Sequence, residues 1–125
     1  MSAIDNALSG MNAAGTQIAV AANNIANQNS NKSIINGQVV NKPYVPQQVD
    51  QVSLSTGGVL ASVSNAPNPT QQVPDTTNGG LTTVPNVDQA AQLVQTDIAS
   101  YNYKANLKVI QVQQNLDKSL LDIKS

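Results

Sequence analysis

All six prolines of this chain lie between positions 43 and 85, and this distribution restricts the possible folds more than any other feature of the sequence. Proline removes a backbone donor and clashes with the preceding helical turn, so long helices are confined to the segments that lack it. Five of the seven glycines also lie between residues 33 and 86. The sequence therefore predicts three regions: an N-terminal helical segment (1–32), an irregular or β middle region (33–86) and a C-terminal helical segment (87–125).

The N-terminal segment carries an apolar stripe at heptad spacing. Its members recur at alternating steps of four and three residues, which predicts an amphipathic helix over about residues 3–29. The other faces of this helix are rich in uncharged polar residues rather than Glu and Lys, which favours burial against other chains. We name the stripe the N-terminal seam: Ile4, Leu8, Met11, Gly15, Ile18, Ala22 and Ile25.

The C-terminal segment carries a longer apolar stripe. From Ile98 its steps are 3, 4, 4, 3, 4, 4 and 3, an eleven-residue repeat that keeps the stripe nearly straight along a helix. We expect this helix to cover residues 87–123, with Asn86 as its N-cap and Gln89 at the third position of a capping box. We name the stripe the C-terminal seam: Val94, Ile98, Tyr101, Ala105, Val109, Val112, Leu116, Leu120 and Ile123.

The middle region lacks enough large apolar residues for a core of its own. Two imperfectly alternating stretches flank Thr56-Gly57-Gly58, and this pattern predicts one small β-hairpin. Residues 65–86 contain four prolines and predict an extended loop. The predicted fold class is therefore mainly α: two long terminal helices, with a small hairpin and a Pro-rich extended loop between them.

Composition argues against catalysis and against polyanionic ligands. Only 10% of the residues are charged, and His, Cys, Glu and Arg are absent, whereas Asn and Gln number 16 and 14. The usual general bases, thiol nucleophiles and zinc ligands are missing, so we expect no enzymatic activity, no metal and no cofactor. A net charge of −1 gives no reason to bind nucleic acid.

The N-terminal sequence also lacks the features of a secretory signal. The first Lys is Lys32, and the longest apolar run near the start is only five residues, Ile18 to Ala22. We therefore expect no membrane insertion, and any export of the chain would use a route that does not read a cleaved signal peptide.

Both terminal segments contain distinctive short motifs. The N-terminal motifs are Ser9-Gly10-Met11-Asn12-Ala13-Ala14 and Ala22-Asn23-Asn24-Ile25-Ala26-Asn27. The C-terminal motifs are Asn86-Val87-Asp88 and Tyr103-Lys104-Ala105-Asn106, followed by Val109-Ile110. These motifs resemble the signature segments of bacterial flagellar rod and hook proteins, and with their surroundings they cover about half of the chain. The short middle, with Lys42-Pro43-Tyr44 and a Pro-rich run into Asn86, is most similar to the C-type proximal rod subfamily.

The resemblance implies a non-enzymatic structural subunit of the basal-body rod. In that family the terminal helices pair as a coiled coil and stack into the torque-transmitting tube, with the middle region outside it. The implied partners are other copies of the chain, other rod proteins, the adaptor region at the MS ring and the flagellar type III export apparatus. The implied location is the rod where it crosses the periplasm. The residues expected to make assembly contacts are Asn23, Asn24, Ile25, Ala26, Asn27, Asn86, Val87, Tyr103, Ala105 and Asn106.

Two other functions stay open from the sequence. One is another axial position, such as a B-type rod subunit or an adaptor, which would differ chiefly in the middle region. The other is a soluble, secretion-linked interaction module built as a helical hairpin, which stable helicity of the monomer would favour.

Overall fold

The computed structural model describes residues 2–31, 33–35, 38–76 and 79–124. Within these residues, helix α1 (Ala3–Asn27) comes first along the chain, six strands follow it, and helix α2 (Gln89–Lys124) comes last. The strands are β1 (Ser33–Ile35), β2 (Gln38–Asn41), β3 (Gln47–Ser53), β4 (Val59–Asn65), β5 (Thr70–Asp75) and β6 (Gly80–Pro85). Within the described residues they form three separate antiparallel pairs, β1–β2, β3–β4 and β5–β6.

Helix α1 begins with a capping box. The Ser2 hydroxyl accepts a hydrogen bond from the Asp5 backbone N–H (3.1 Å), and the Asp5 carboxylate accepts one from the Ser2 backbone N–H (3.0 Å). These reciprocal bonds satisfy donors that the first helical turn leaves without a partner. The bonds from Ser2 also hold the pKa of the Asp5 carboxyl below its ordinary value.

Helix α2 is capped by Asp88, so the predicted N-cap role of Asn86 is wrong. The Asp88 carboxylate accepts a hydrogen bond from the Ala91 backbone N–H (3.0 Å), and the helix begins at Gln89. Asn86 lies two residues before the N-cap Asp88, and it closes the base of the β5–β6 hairpin. Its backbone N–H donates to the Pro69 carbonyl (2.9 Å) and its side-chain amide to the Asn68 carbonyl (3.0 Å).

The β3–β4 hairpin packs along α1. Its register pairs Gln47 with Asn65 at the open end and Ser53 with Val59 next to the turn. The turn requires glycine, because Gly57 and Gly58 have φ values of 89° and 87°. A Cβ added at Gly57 would lie 2.9 Å from Oδ1 of Asn6, so the turn sits directly against the N-terminal part of α1.

The predicted fold class is mainly α, with long terminal helices that pair as a coiled coil and only one small hairpin and an extended loop between them. It is wrong, because the middle region is a series of hairpins and the chain is not a simple coiled coil. The segment predicted as a Pro-rich extended loop contains the β5–β6 hairpin, which pairs Pro74 with Leu81 and Thr70 with Pro85. Proline is excluded from central strands, but both strands of an isolated pair are edge strands and tolerate it. The β1–β2 pair is a further element that the sequence did not predict.

The side chains that the two helices bury are mostly small. They are Ala7, Ala13, Ala14, Val20, Ala21 and Ala99, together with the polar Asn24. Helices α1 and α2 run antiparallel, since Gly10 contacts Asn106 whereas Asn24 contacts Gln92. The C-terminal end of α2 therefore extends past the start of α1, and every described side chain from Gln114 to Ile123 is exposed.

Over the part of the chain that the structure describes, neither helix combines the length and the apolar character needed to cross a membrane.

Candidate assembly surface

The two helices approach each other closely at Gly10 of α1. A Cβ built at this position would lie 2.7 Å from Nδ2 and 2.9 Å from Cγ of Asn106. The Asn106 amide is itself held by donating to the Asn102 carbonyl (2.9 Å). Only glycine leaves room for this side chain, so the structure brings one residue of the N-terminal signature into contact with one of the C-terminal signature.

Asn24 joins three elements. Its side-chain amide donates to the Gln47 carbonyl of β3 (2.8 Å) and to Oε1 of Gln92 on α2 (3.0 Å). Its side-chain oxygen accepts from the Gln47 backbone N–H (3.0 Å) and from the Tyr44 hydroxyl (3.0 Å). Asn24 is only 2% exposed, and all of its hydrogen-bonding capacity is used within the chain.

Tyr44 belongs to this junction through its hydroxyl group. Partial burial raises the pKa of Tyr44 above its ordinary value, because the charged phenolate is poorly solvated there. The neutral hydroxyl can donate to Asn24, whereas the phenolate cannot. The sequence assigns no hydrogen-bonding role to Tyr44, Gln47 or Gln92. A polar residue in a connecting segment, at the start of a strand or in the first turn of a helix carries no distinctive signal for such a junction.

The remaining predicted assembly residues are more accessible. Asn23, Ala26 and Ala105 are exposed, Ile25 and Val87 are half-buried, and Tyr103 is 40% exposed. The Asn27 amide donates to the Asn23 carbonyl (2.9 Å) within the last turn of α1. The amides of this motif therefore differ: Asn24 is committed to the chain, whereas the Asn23 side chain faces solvent.

The two seams are not the faces through which α1 and α2 pair. The face of α2 toward α1 is a different heptad, made mostly of small and polar residues, with Ala99 fully buried at its centre. Its members follow steps of four and three residues, which the sequence could have revealed if small and polar residues had been counted. They are Gln92, Thr96, Ala99, Tyr103, Asn106, Ile110 and Gln113.

The C-terminal seam is largely uncovered. Its large members range from 45% exposed at Val109 to 82% exposed at Ile123. At 3.6 residues per turn the seam is centred roughly 110° around the helix from Ala99. Such a continuous exposed apolar stripe is unusual for a monomer and typical of a surface that binds another molecule.

Much of the charge of α2 lies on another face. Asp97, Lys104, Lys118 and Asp122 lie on the side away from both Ala99 and the C-terminal seam. Lys108 borders the seam beside Ala105 and Val112, and Asp117 lies on the same face as Ala99, but the seam itself contains no charged residue. A partner that covered the seam would therefore not have to desolvate an ion at its centre, which makes the seam suitable for a dry contact.

The N-terminal seam is better covered than its C-terminal counterpart. Ile4, Met11, Ile18 and Ile25 are half-buried, whereas Leu8 is 50% exposed.

On the other side of the helix pair, an open groove of about 450 Å³ lies between α1, the β3–β4 turn and α2. Its walls include Gly10, Val59 and Val109, so it is continuous with the C-terminal seam at Val109.

The Ser9 hydroxyl fixes one wall of this groove. It accepts a hydrogen bond from the Val59 backbone N–H (3.0 Å) and donates to the Asn6 carbonyl (2.8 Å). A residue of the N-terminal signature thus attaches β4 to α1. No group of three carboxylates within the described ranges could hold a metal ion.

A scan of the sequence against models of protein families found no match. A comparison with curated proteins found no matching sequence either.

Proposed function

We propose that this chain is a structural subunit of the bacterial flagellar basal body, in the proximal rod, and that it polymerises through the C-terminal seam. The observation that carries the proposal is the exposed, charge-free seam along α2, which one chain cannot cover. A subunit that must bind other copies needs such a surface, whereas a self-contained protein does not.

The arrangement of the signature residues gives further support. Gly10 and Asn106 lie far apart in the sequence and touch in the structure, and Asn24 fixes α1 to α2. These residues hold the two helices in a fixed relation, so that the C-terminal seam is presented as one rigid surface. In this proposal, the flagellar rod is inferred from the resemblance of the motifs, and the contact surface between copies is inferred from the exposed seam.

The test introduces a charge into the seam. Ile98→Asp places a carboxylate on a side chain that is 55% exposed, so the isolated chain should keep its helicity and its stability within about 0.5 kcal/mol. In a bacterium that depends on this gene for swimming, we expect export of the variant but no incorporation into basal bodies. Burying an unpaired carboxylate in the assembled contact would be strongly unfavourable.

Gln111→Asp is the matched control. It adds the same charge to the same helix on the exposed face away from the seam, and we expect normal incorporation. Normal swimming of the Ile98→Asp strain would contradict the proposal, as would equal loss of incorporation in both strains.

One observation favours the soluble helical-hairpin module as a second candidate. Asn24 is satisfied entirely within the chain, which is expected of a fold that is stable without partners. Circular dichroism and sedimentation of the purified chain address this point. A strongly helical chain that forms nothing larger than a dimer would favour the soluble module, and concentration-dependent growth beyond a dimer would favour the rod subunit.

A further inference from the structure

The spacing of the C-terminal seam reads the same in both directions along α2. From Ile98 to Ile123 the steps are 3, 4, 4, 3, 4, 4 and 3, which is symmetric about a point between Ile110 and Gln111. Two antiparallel copies of the seam would therefore superimpose residue for residue. We propose that the C-terminal seam binds a second copy of this chain as an antiparallel α2–α2 pair, with a two-fold axis between Ile110 and Gln111.

The side chains of the two copies that would face each other in this antiparallel pair are compatible in size. Ile98 would meet Ile123 of the second copy, and Val109 would meet Val112. The short Ala105 would lie opposite the long Leu116, which allows close packing of the two helices. Such a contact is isologous, since both copies use one surface, and it closes after two chains.

The β3–β4 hairpin is compatible with this register. It lies along α1 from Asn24, which is level with Gln92, to Asn6, which is about level with Ile110. Each hairpin would thus stop near the two-fold axis, and the two copies would lie end to end. In a second symmetric register, centred on Ala105, the two hairpins would overlap along the helices and Leu120 and Ile123 would stay uncovered. In a third, centred on Leu116, only the seam from Val109 to Ile123 would pair, and Ile98 and Tyr101 would stay uncovered.

The area of the seam sets the expected strength. The exposed portions of its large side chains amount to roughly four complete side chains per copy, each worth about 100 Å² of apolar surface. The pair therefore buries about 800 Å² from these residues alone, below the roughly 1,200 Å² at which stable interfaces begin and within the range of weak, transient ones. We expect a reversible dimer with a dissociation constant on the order of 10 to 100 µM.

This inference does not rest on the proposed function. Copies that add to one end of a polymer all point the same way, so an antiparallel pair is not a contact of a growing tube. It covers the same surface, however, and would keep that surface from binding other copies before assembly. Failure of the pairing in solution and failure of incorporation into basal bodies are separate results.

Cysteine cross-linking tests the pairing, because the chain has no cysteine of its own. Ala105→Cys and Leu116→Cys are prepared as separate full-length variants, mixed at a concentration of about 200 µM, above the expected dissociation constant, and oxidised. In the proposed register the thiol introduced at position 105 of one copy faces the thiol introduced at position 116 of the other. Identical positions of the two copies lie about 16 Å apart along the axis. A disulfide needs Cα atoms within about 7 Å.

We expect a cross-linked dimer of two 13.0 kDa chains only in the mixture. Gln111→Cys, near the two-fold axis but on the opposite face, is the control and should stay uncross-linked with either variant. Cross-linking of only Ala105→Cys with itself would indicate the register centred on Ala105, and cross-linking of only Leu116→Cys with itself would indicate the register centred on Leu116. Cross-linking of each variant with itself would indicate parallel pairing. Any of these results would overturn the proposal. It would also be overturned by a mixture that gives no dimer and sediments as a monomer well above the expected dissociation constant, at about 500 µM, while circular dichroism shows intact helices.

Discussion

Gly10 and Asn106 approach so closely that a single methyl group on Gly10 would overlap the Asn106 amide, at 2.7 Å from its nitrogen. Gly15, further along the same helix, has no such neighbour within 4 Å of an added Cβ. Two glycines in one helix therefore have different reasons to be there, and this difference can be measured.

We expect Gly15→Ala to stabilise the chain by about 0.5–1 kcal/mol, because alanine loses less backbone entropy in a helix interior. Gly10→Ala gains the same propensity but must displace Asn106, so it should be about 1–2 kcal/mol less stable than Gly15→Ala. Urea denaturation measures both changes. Asn106→Ala in the Gly10→Ala background should remove the penalty, and equal stabilities of the two glycine variants would contradict the close contact.

Asn24 and Asn23 are adjacent but should respond differently to substitution. Asn24→Ala leaves the Gln47 backbone groups, the Tyr44 hydroxyl and the Gln92 amide without a partner, at an expected cost of about 2–4 kcal/mol. Asn23→Ala removes an exposed side chain and should change the unfolding free energy by less than about 0.5 kcal/mol. Similar values for the two variants in urea denaturation would show that the Asn24 junction does not contribute to stability.

The capping box at the start of α1 predicts a pH effect at the acidic end. The folded pKa of Asp5 is lower than its unfolded value, so its contribution to stability is present above the unfolded pKa and is lost as the pH falls through the folded pKa. An NMR titration of the Asp5 carboxyl should give a pKa below the ordinary value. Ser2→Ala should raise it, because the hydroxyl bond to the carboxylate is lost, although the Ser2 backbone bond can persist.

The last turn of α2 can be removed to separate folding from assembly. Residues 121–125 follow the part of the helix that α1 reaches, and Leu121 and Ile123 are 70% and 82% exposed. Their deletion should change the stability of the isolated chain by less than about 0.5 kcal/mol but should reduce swimming. Wild-type swimming would show that the end of the seam is dispensable, whereas unfolding of the truncated chain would show that this turn is structural.

The helices could be predicted because the absence of Pro, the scarcity of Gly and the spacing of apolar residues in the terminal segments all indicate helix. Helix α1 covers Ala3–Asn27 where the spacing predicts 3–29, and α2 covers Gln89–Lys124 where it predicts 87–123. The predicted N-cap of α2 is wrong because Asn86 and Asp88 are both good capping residues. Only the hydrogen bonds of Asn86 to the β5–β6 hairpin decide between them, and the sequence does not show these bonds.

The pairing of the elements could not be predicted with the same success. Large apolar side chains dominate periodicity, yet the helices meet through Gly10, Ala99 and other small residues whose burial leaves little hydrophobic signal. The β5–β6 hairpin was not predicted because Pro74 and Pro85 argue against a strand, although proline is tolerated in a two-stranded sheet. The motif residues that the family resemblance assigns to assembly remain predictions.

The Asn24 junction also sets the order in which the chain can fold. Asn24 bonds to Gln47 and to Gln92, the latter 68 residues further along the chain. Helix α1 is synthesised first and can dock on the β3–β4 hairpin before α2 exists, but its contacts with α2 form only after the start of α2 has left the ribosome. Because non-local contacts of this kind slow folding, the nascent chain spends most of its synthesis without the pairing of its two helices.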